Sequence, residues 1–228
     1  MKRRPEQPWS RDEFVRRTYR GQLLFEPGTS WSYSNLGYLF LKEVLEFVLG
    51  RPFFAAVDEF LCRPLQLSQT RPVRTLTDWD DLVPASSSLI SPDGAAHEVR
   101  GRYHPGWVAH GLLASTATDA ARFLDALFRG NFLDAKSLRQ LMDGVDVPGE
   151  HPPAVTLRYG LGLMLDVDSK EGGTLGQEGS GPDYSAQVQY WPKLGSGYVV
   201  AVLANREGVD MATITGSIAR ALLEAPER

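Results

Sequence analysis

Cysteine is almost absent from this chain: its 228 residues hold one, Cys62. A single thiol cannot close a disulfide within the chain or build a cysteine zinc site. Its neighbours, Glu59-Phe60-Leu61, are helical and largely apolar, so Cys62 reads as a small core residue and not as a nucleophile. Long apolar runs are missing as well. The longest, Tyr198–Ala204, is strand length and far too short to span a membrane. The start, Met1-Lys2-Arg3-Arg4-Pro5, is basic, but no apolar stretch follows, so it does not read as a secretory leader. As written, the chain is expected in the cytoplasm. A periplasmic or secreted location is expected instead if a leader-bearing segment precedes Met1.

Positive charge is also in short supply. Lys and Arg number 24 against 28 Asp and Glu, a net charge of −4. Nucleic-acid partners need a basic stripe. The only dense patches are Lys2–Arg4 and Arg16, Arg17 and Arg20, which read as a solvated terminus, so no nucleic acid is expected. No Gly-x-x-x-x-Gly-Lys is present to cradle phosphates, and no Gly-x-Gly-x-x-Gly follows a strand. No Gly-x-Ser-x-Gly exists, which excludes an α/β-hydrolase nucleophile elbow. Of the histidines His97, His104, His110 and His151, none pairs at i, i+4. No metal site and no cofactor are expected.

What is present is an ordinary globular composition, 43% hydrophobic and 23% charged, sufficient for a sizeable core. Ser10-Arg11-Asp12-Glu13 predicts an N-cap opening a helix to about Arg20. Phe25-Glu26-Pro27-Gly28-Thr29 predicts a turn. Leu41, Val44, Leu45 and Val48 recur at helical spacing, giving a helix from Asn35 to Leu49 with Gly50 at C′. Pro52 opens another, to about Leu61. Residues 68–110 are rich in proline and serine and read as a functional loop or lid, with Trp79, Tyr103 and Trp107 available for aromatic contacts. Helices follow at Thr116–Phe128 and Asp134–Met142. Three strands are expected next, at Gly160–Val167, Ala186–Trp191 and Tyr198–Asn205, and a closing helix over 209–224. Helices first and strands later give an α+β class.

Three ordered segments carry a resemblance. The first is Phe25-Glu26-Pro27-Gly28-Thr29-Ser30-Trp31-Ser32-Tyr33-Ser34-Asn35-Leu36-Gly37-Tyr38. The second runs Gly111-Leu112-Leu113-Ala114-Ser115-Thr116-Ala117-Thr118-Asp119, and the third Gly176-Gln177-Glu178-Gly179-Ser180-Gly181-Pro182-Asp183-Tyr184. Together they resemble the serine β-lactamase and penicillin-binding-protein superfamily, in its class C β-lactamase, D-alanyl-D-alanine carboxypeptidase and esterase branch. The resemblance implies a β-lactamase/transpeptidase-like fold, an antiparallel sheet flanked by helices plus a helical lobe. It implies one domain over 1–228: an extension (1–21), a mainly helical lobe with Tyr-x-Asn (22–150), and three strands with a C-terminal helix (151–228). It also implies acyl transfer through an acyl-serine on an amide or ester, such as a β-lactam, a D-Ala peptide or a small ester. Carried over residue by residue, Tyr33 is the catalytic tyrosine and Asn35 the substrate-holding amide. Gln177, Glu178 and Gly179 form the substrate-binding strand motif, and the Ser180 N–H serves the oxyanion.

The chain departs from that pattern in two places. The Ser-x-x-Lys that supplies nucleophile and shuttling lysine occurs nowhere in it; Ser10, for example, is followed by Glu13. Gln177 stands where the family has Lys or His, and a carboxamide neither carries charge nor shuttles a proton. Without those cations the Tyr33 phenol, ordinarily near pKa 10, is a poor base at neutral pH. The fold is therefore expected to be N-terminally incomplete and inactive alone, with a completing chain or a homo-oligomer as partner beside a small-molecule or peptide substrate. A non-catalytic pseudoenzyme that binds a peptide or small ligand in the vestigial cleft is the alternative.

Overall fold

The computed structural model describes residues 4–130, 132–149, 156–167, 173–206 and 208–224. His151 and part of the Lys2–Arg4 patch lie outside them.

Helix α1 (Arg11–Thr18) begins where Ser10 Oγ accepts the Glu13 N–H. Arg11 clamps it to the next helix through two bonds to the Glu43 carboxylate, at 2.8 and 2.9 Å. That helix, α2 (Asn35–Leu49), starts at a Ser34 cap and ends at Gly50, whose φ of +62° suits glycine. α3 (Phe53–Val57) runs into a π-helical turn, Asp58–Cys62. The half-buried Cys62 thiol there is pushed up by burial first, then by Asp58 and Asp119, which keeps it unreactive.

The stretch 68–110 is irregular over most of its length, as its composition predicts, yet packed. It contains β1 (Arg71–Val73), β2 (Ser86–Ser87) and β3 (His97–Glu98), and β1 pairs with β4 (Leu112–Ala114). Val73, Trp79, Ala85, Ile90, Val99, Tyr103 and Ala114 form a core of its own. Trp79 and Tyr103 point into that core and offer no surface to a ligand. The unit is tied to the sheet where Tyr184 Oη donates to Val83 O and Asn205 Nδ2 to Pro84 O, both at 2.7 Å.

α4 (Ala117–Arg129) and α5 (Ala135–Met142) follow, capped by Thr116 and Asp134. Among the described residues the main sheet then contains six strands where the sequence reading expects three. These are β5 (Val145–Asp146), β6 (Leu157–Tyr159), β7 (Met164–Asp166), β8 (Thr174–Gly181), β9 (Tyr184–Trp191) and β10 (Tyr198–Ala204). Their order is β10-β9-β8-β7-β6-β5, antiparallel throughout. β8 contains three glycines and lacks an apolar alternation, so propensity disfavours it. Pairing with β9 from Leu175 to Gly181 holds it extended. Gly176 is required there, because a Cβ would lie 2.1 Å from Val188 O. α6 (Met211–Glu224) packs on β9 and β10, where Trp191, Leu194, Val200 and Ala219 close the core.

Helix α2 is apolar nearly all round, a composition suited to a helix enclosed on every side. Leu39 alone is buried. Leu41, Val44, Leu45 and Val48, the residues whose spacing predicts the helix, are all exposed, Val48 by 70% and neighbouring Phe47 by 88%.

Candidate functional site

Tyr33 sits on the extended segment that leads into α2, and Asn35 is the first residue of that helix. The Tyr33 hydroxyl donates to Asn35 Oδ1 at 3.2 Å. Tyr33 is 54% exposed, open to a ligand on one side. Its other side faces Tyr38, one turn into α2, with ring centroids 5.6 Å apart. Burial first, and Tyr159 second, raise the Tyr33 pKa above the ordinary phenol value. No cation contributes to that shift, so the phenol stays protonated at neutral pH.

Across from this tyrosine pair stands Tyr159, at the end of β6 and buried. Its hydroxyl is 2.7 Å from that of Tyr38. Its ring packs on Trp31 at 4.8 Å between centroids. Burial, the largest cause, holds the Tyr38 phenol above its usual range. Gln177 on β8 closes the chain of contacts. Its Nε2 donates to Tyr159 Oη at 2.8 Å and to Gly162 O at 3.3 Å, while its Oε1 accepts the Glu178 N–H at 3.0 Å.

Tyr33, Asn35 and Gln177 thus belong to one connected cluster. Among the described residues no hydrogen bond joins the first two to Gln177 directly; the link passes through Tyr38 and Tyr159. Both ends of the Gln177 carboxamide are engaged by the protein.

Glu178, Gly179 and Ser180 are exposed along the second half of β8. β7 pairs with β8 only as far as Gly176, whereas β9 continues to Gly181, so one edge of this half-strand is open. The Glu178 N–H, which meets the Gln177 side chain, lies on that open edge. Strand alternation puts the Ser180 N–H, two residues on, on the same edge.

Tyr38 and Tyr159 are members of this cluster that the sequence reading left unassigned. Tyr38 lies inside the first resembling segment, and Tyr159 opens a Tyr-Gly-Leu-Gly turn (159–162), the local signal that marks it. His110 lies beside them, its ring 5.8 Å from that of Tyr38. Burial, then the charge of Lys42, lowers its pKa, and its Nδ1 is buried without a hydrogen-bond partner. Among the described residues no group of three or more His, Cys, Asp or Glu is gathered as a metal site. No helix described is long and apolar enough to cross a membrane.

The sequence model of the Beta-lactamase family matches residues 2–223. The chain belongs to this family. Within it, the chain is similar to penicillin-binding protein 4* of Bacillus subtilis (strain 168), 23% identical over 173 residues, covering 72% of this chain and 38% of that protein. D-stereospecific amidohydrolase from Streptomyces sp. has a similar structure, with a TM-score of 0.75 at 26% identity, covering 92% of this chain and 61% of that one. D-amino acid amidase from Ochrobactrum anthropi SV3, complexed with D-phenylalanine, shares the fold with a TM-score of 0.77 at 19% identity, covering 99% and 68%. The chain therefore spans less than two thirds of the first two relatives. Against this Beta-lactamase family frame, the expected α+β architecture and the superfamily resemblance both hold.

Proposed function

We propose that this chain is the tyrosine- and strand-bearing part of a serine hydrolase that cleaves an amide or ester by acyl transfer. In this reading the serine nucleophile and its lysine come from polypeptide beyond these 228 residues. Asn35 holds the substrate amide, Glu178 and Gly179 line the strand edge, and the Ser180 N–H serves the oxyanion. Tyr33 relays the proton once a cation stands beside it. Gln177 orients the cleft and does not touch substrate. A D-configured amide is the substrate class tested first, after the name of the Streptomyces relative.

One observation carries the proposal: Tyr33 and Asn35 share a connected cluster with the β8 strand whose edge lies open beside them. The exposed apolar face of α2 supports the idea of a completing segment, because a helix so apolar gains by being covered. The test reads the in-frame coding sequence ahead of Met1 for Ser-x-x-Lys, then treats the longer product with a fluorophosphonate or a labelled penicillin. The longer product is expected to take the label on that serine. Absence of any such motif, in the same frame or in a co-purifying chain, ends the enzyme reading. The non-catalytic binder would then stand, favoured by the engagement of Gln177 inside the protein.

A further inference from the structure

The geometry points to Tyr38 as a ligand-facing hydrogen-bond donor in this cleft, with the Gln177–Tyr159 pair fixing the direction in which that donor points. The inference rests on the reading of the Tyr33 cleft as the substrate site and adds a residue to it.

The argument is an accounting of protons. The orientation of the Gln177 carboxamide is settled by its partners. Gly162 O can only accept, so the group 3.3 Å from it is Nε2; the Glu178 N–H can only donate, so the group it meets is Oε1. Nε2 therefore also donates to Tyr159, 2.8 Å away. The Tyr159 oxygen accepts that bond and has one proton of its own to place. Among the described residues the hydroxyl within hydrogen-bond reach of it is that of Tyr38, at 2.7 Å.

Two directions are open for that contact. If Tyr38 donates to Tyr159, the Tyr159 proton has no acceptor among the described residues, on a side chain only 8% exposed. A buried donor left unpaired is costly. If Tyr159 donates to Tyr38, the buried Tyr159 hydroxyl places its proton, and the proton left over belongs to Tyr38, which is partly exposed. The second direction wins. The chain runs Gln177 Nε2–H to Tyr159 O–H to Tyr38 O–H, and the last proton is left for a ligand.

A hydroxyl that already accepts a hydrogen bond is a stronger donor, because successive bonds polarise one another. Tyr38 is thus suited to meet an acceptor oxygen, the carbonyl of an amide or ester, while Tyr33 is committed to Asn35 at 3.2 Å. Tyr159 and Gln177 act through Tyr38 and are positioning residues.

Two measurements on the 228-residue chain test this. In the first, tyrosines are labelled with carbon-13 at Cζ and observed in a mixture of light and heavy water. A slowly exchanging hydroxyl gives two Cζ lines and a fast one gives a single line. Tyr159 is expected to show two lines and Tyr38 one; any other pattern overturns the direction assigned. In the second, D-phenylalanine amide is titrated while Trp31 fluorescence is followed, with phenylethylamine, which lacks the carbonyl, as comparison. Tyr38→Phe is expected to weaken the amide about five- to tenfold, the scale of one neutral hydrogen bond, and to leave phenylethylamine unchanged. Tyr159→Phe weakens the amide less, since Tyr38 keeps its proton but loses its orientation. Amide binding that Tyr38→Phe leaves unchanged overturns the inference and spares the site. Failure of the unmodified chain to bind the amide removes the site reading, and the inference falls with it.

Discussion

Replacing Tyr159 by Phe removes one oxygen from the centre of the cluster and leaves the ring. The ring contact with Trp31, 4.8 Å between centroids, survives. Two hydrogen bonds are lost, one to Tyr38 and one from Gln177. A neutral hydrogen bond contributes about 0.5–1.5 kcal/mol net. The two losses are softened unequally. Tyr38 is partly exposed and can turn to water, and Gln177 keeps Gly162 O at 3.3 Å. The expected cost is therefore about 1–2 kcal/mol, near the lower end of the sum. For a domain of this size that corresponds to a fall in Tm of roughly 2–8 °C. Urea denaturation followed by far-ultraviolet circular dichroism reads the same quantity as a lower midpoint at unchanged slope. Tyr159→Ala sets the scale, because losing the buried ring as well costs about 3–5 kcal/mol. If Tyr159→Phe unfolds at the same urea concentration as the unmodified chain, the hydroxyl chain does not exist in solution, and the cleft described above loses its centre.

Asp119 is buried and accepts from Gln69 N at 2.8 Å and Thr70 Oγ1 at 3.0 Å, so Asp119→Ala should cost about 1.5–3 kcal/mol in the same denaturation assay. The exposed apolar face of α2 predicts self-association of the chain by itself; sedimentation velocity should show a larger species that Val44→Glu with Val48→Glu disperses. Intact-mass spectrometry after exposure to a fluorophosphonate should find no adduct, since no Ser-x-x-Lys lies in these residues. His110 has a pKa lowered by burial and by Lys42, beside the Tyr38 ring. The unfolded chain then binds the proton more readily, so the stability due to neutral His110 is full above the ordinary histidine value of about 6.5 and is lost as pH falls below it. Tm measured from pH 7.5 down to 5 should fall less steeply in His110→Phe.

Helix α2 was legible almost to the residue because its signals are local. A serine cap, a 3.6-residue apolar period and a glycine at the left-handed end all lie within 17 residues of one another. β8 was not legible as a strand from its own pattern, because its three glycines carry no period of two, and only the resemblance marked a strand motif at Gln177, Glu178 and Gly179. What extends it is the partner strand β9, which alternates by burial and lies across a tight turn where Asp183 takes a φ of +61°. Residues 68–110 are irregular over most of their length, as the loop reading expects, but part of their organisation was not legible. Prolines and serines mark irregular backbone, but they do not reveal that Trp79 and Tyr103 pack edge-on within it, 6.4 Å apart.

The candidate site divides along the same line. Tyr33 and Asn35 are two residues apart, so a short motif suffices to find them. Tyr38 and Tyr159 are separated by 121 residues, and no local pattern announces a hydroxyl pair across that distance. Gln177 shows the consequence. Taken alone, a carboxamide where a cation is expected reads as a weakened ligand. With Tyr159 beside it, the same substitution is a structural choice: a neutral donor–acceptor group fits between a carbonyl, a phenol and a backbone N–H, using its two ends at once. A lysine could donate to Gly162 O and Tyr159 but could not accept the Glu178 N–H, and its charge would need an anion that the cluster does not contain. The change at 177 and the tyrosine ladder therefore depend on one another.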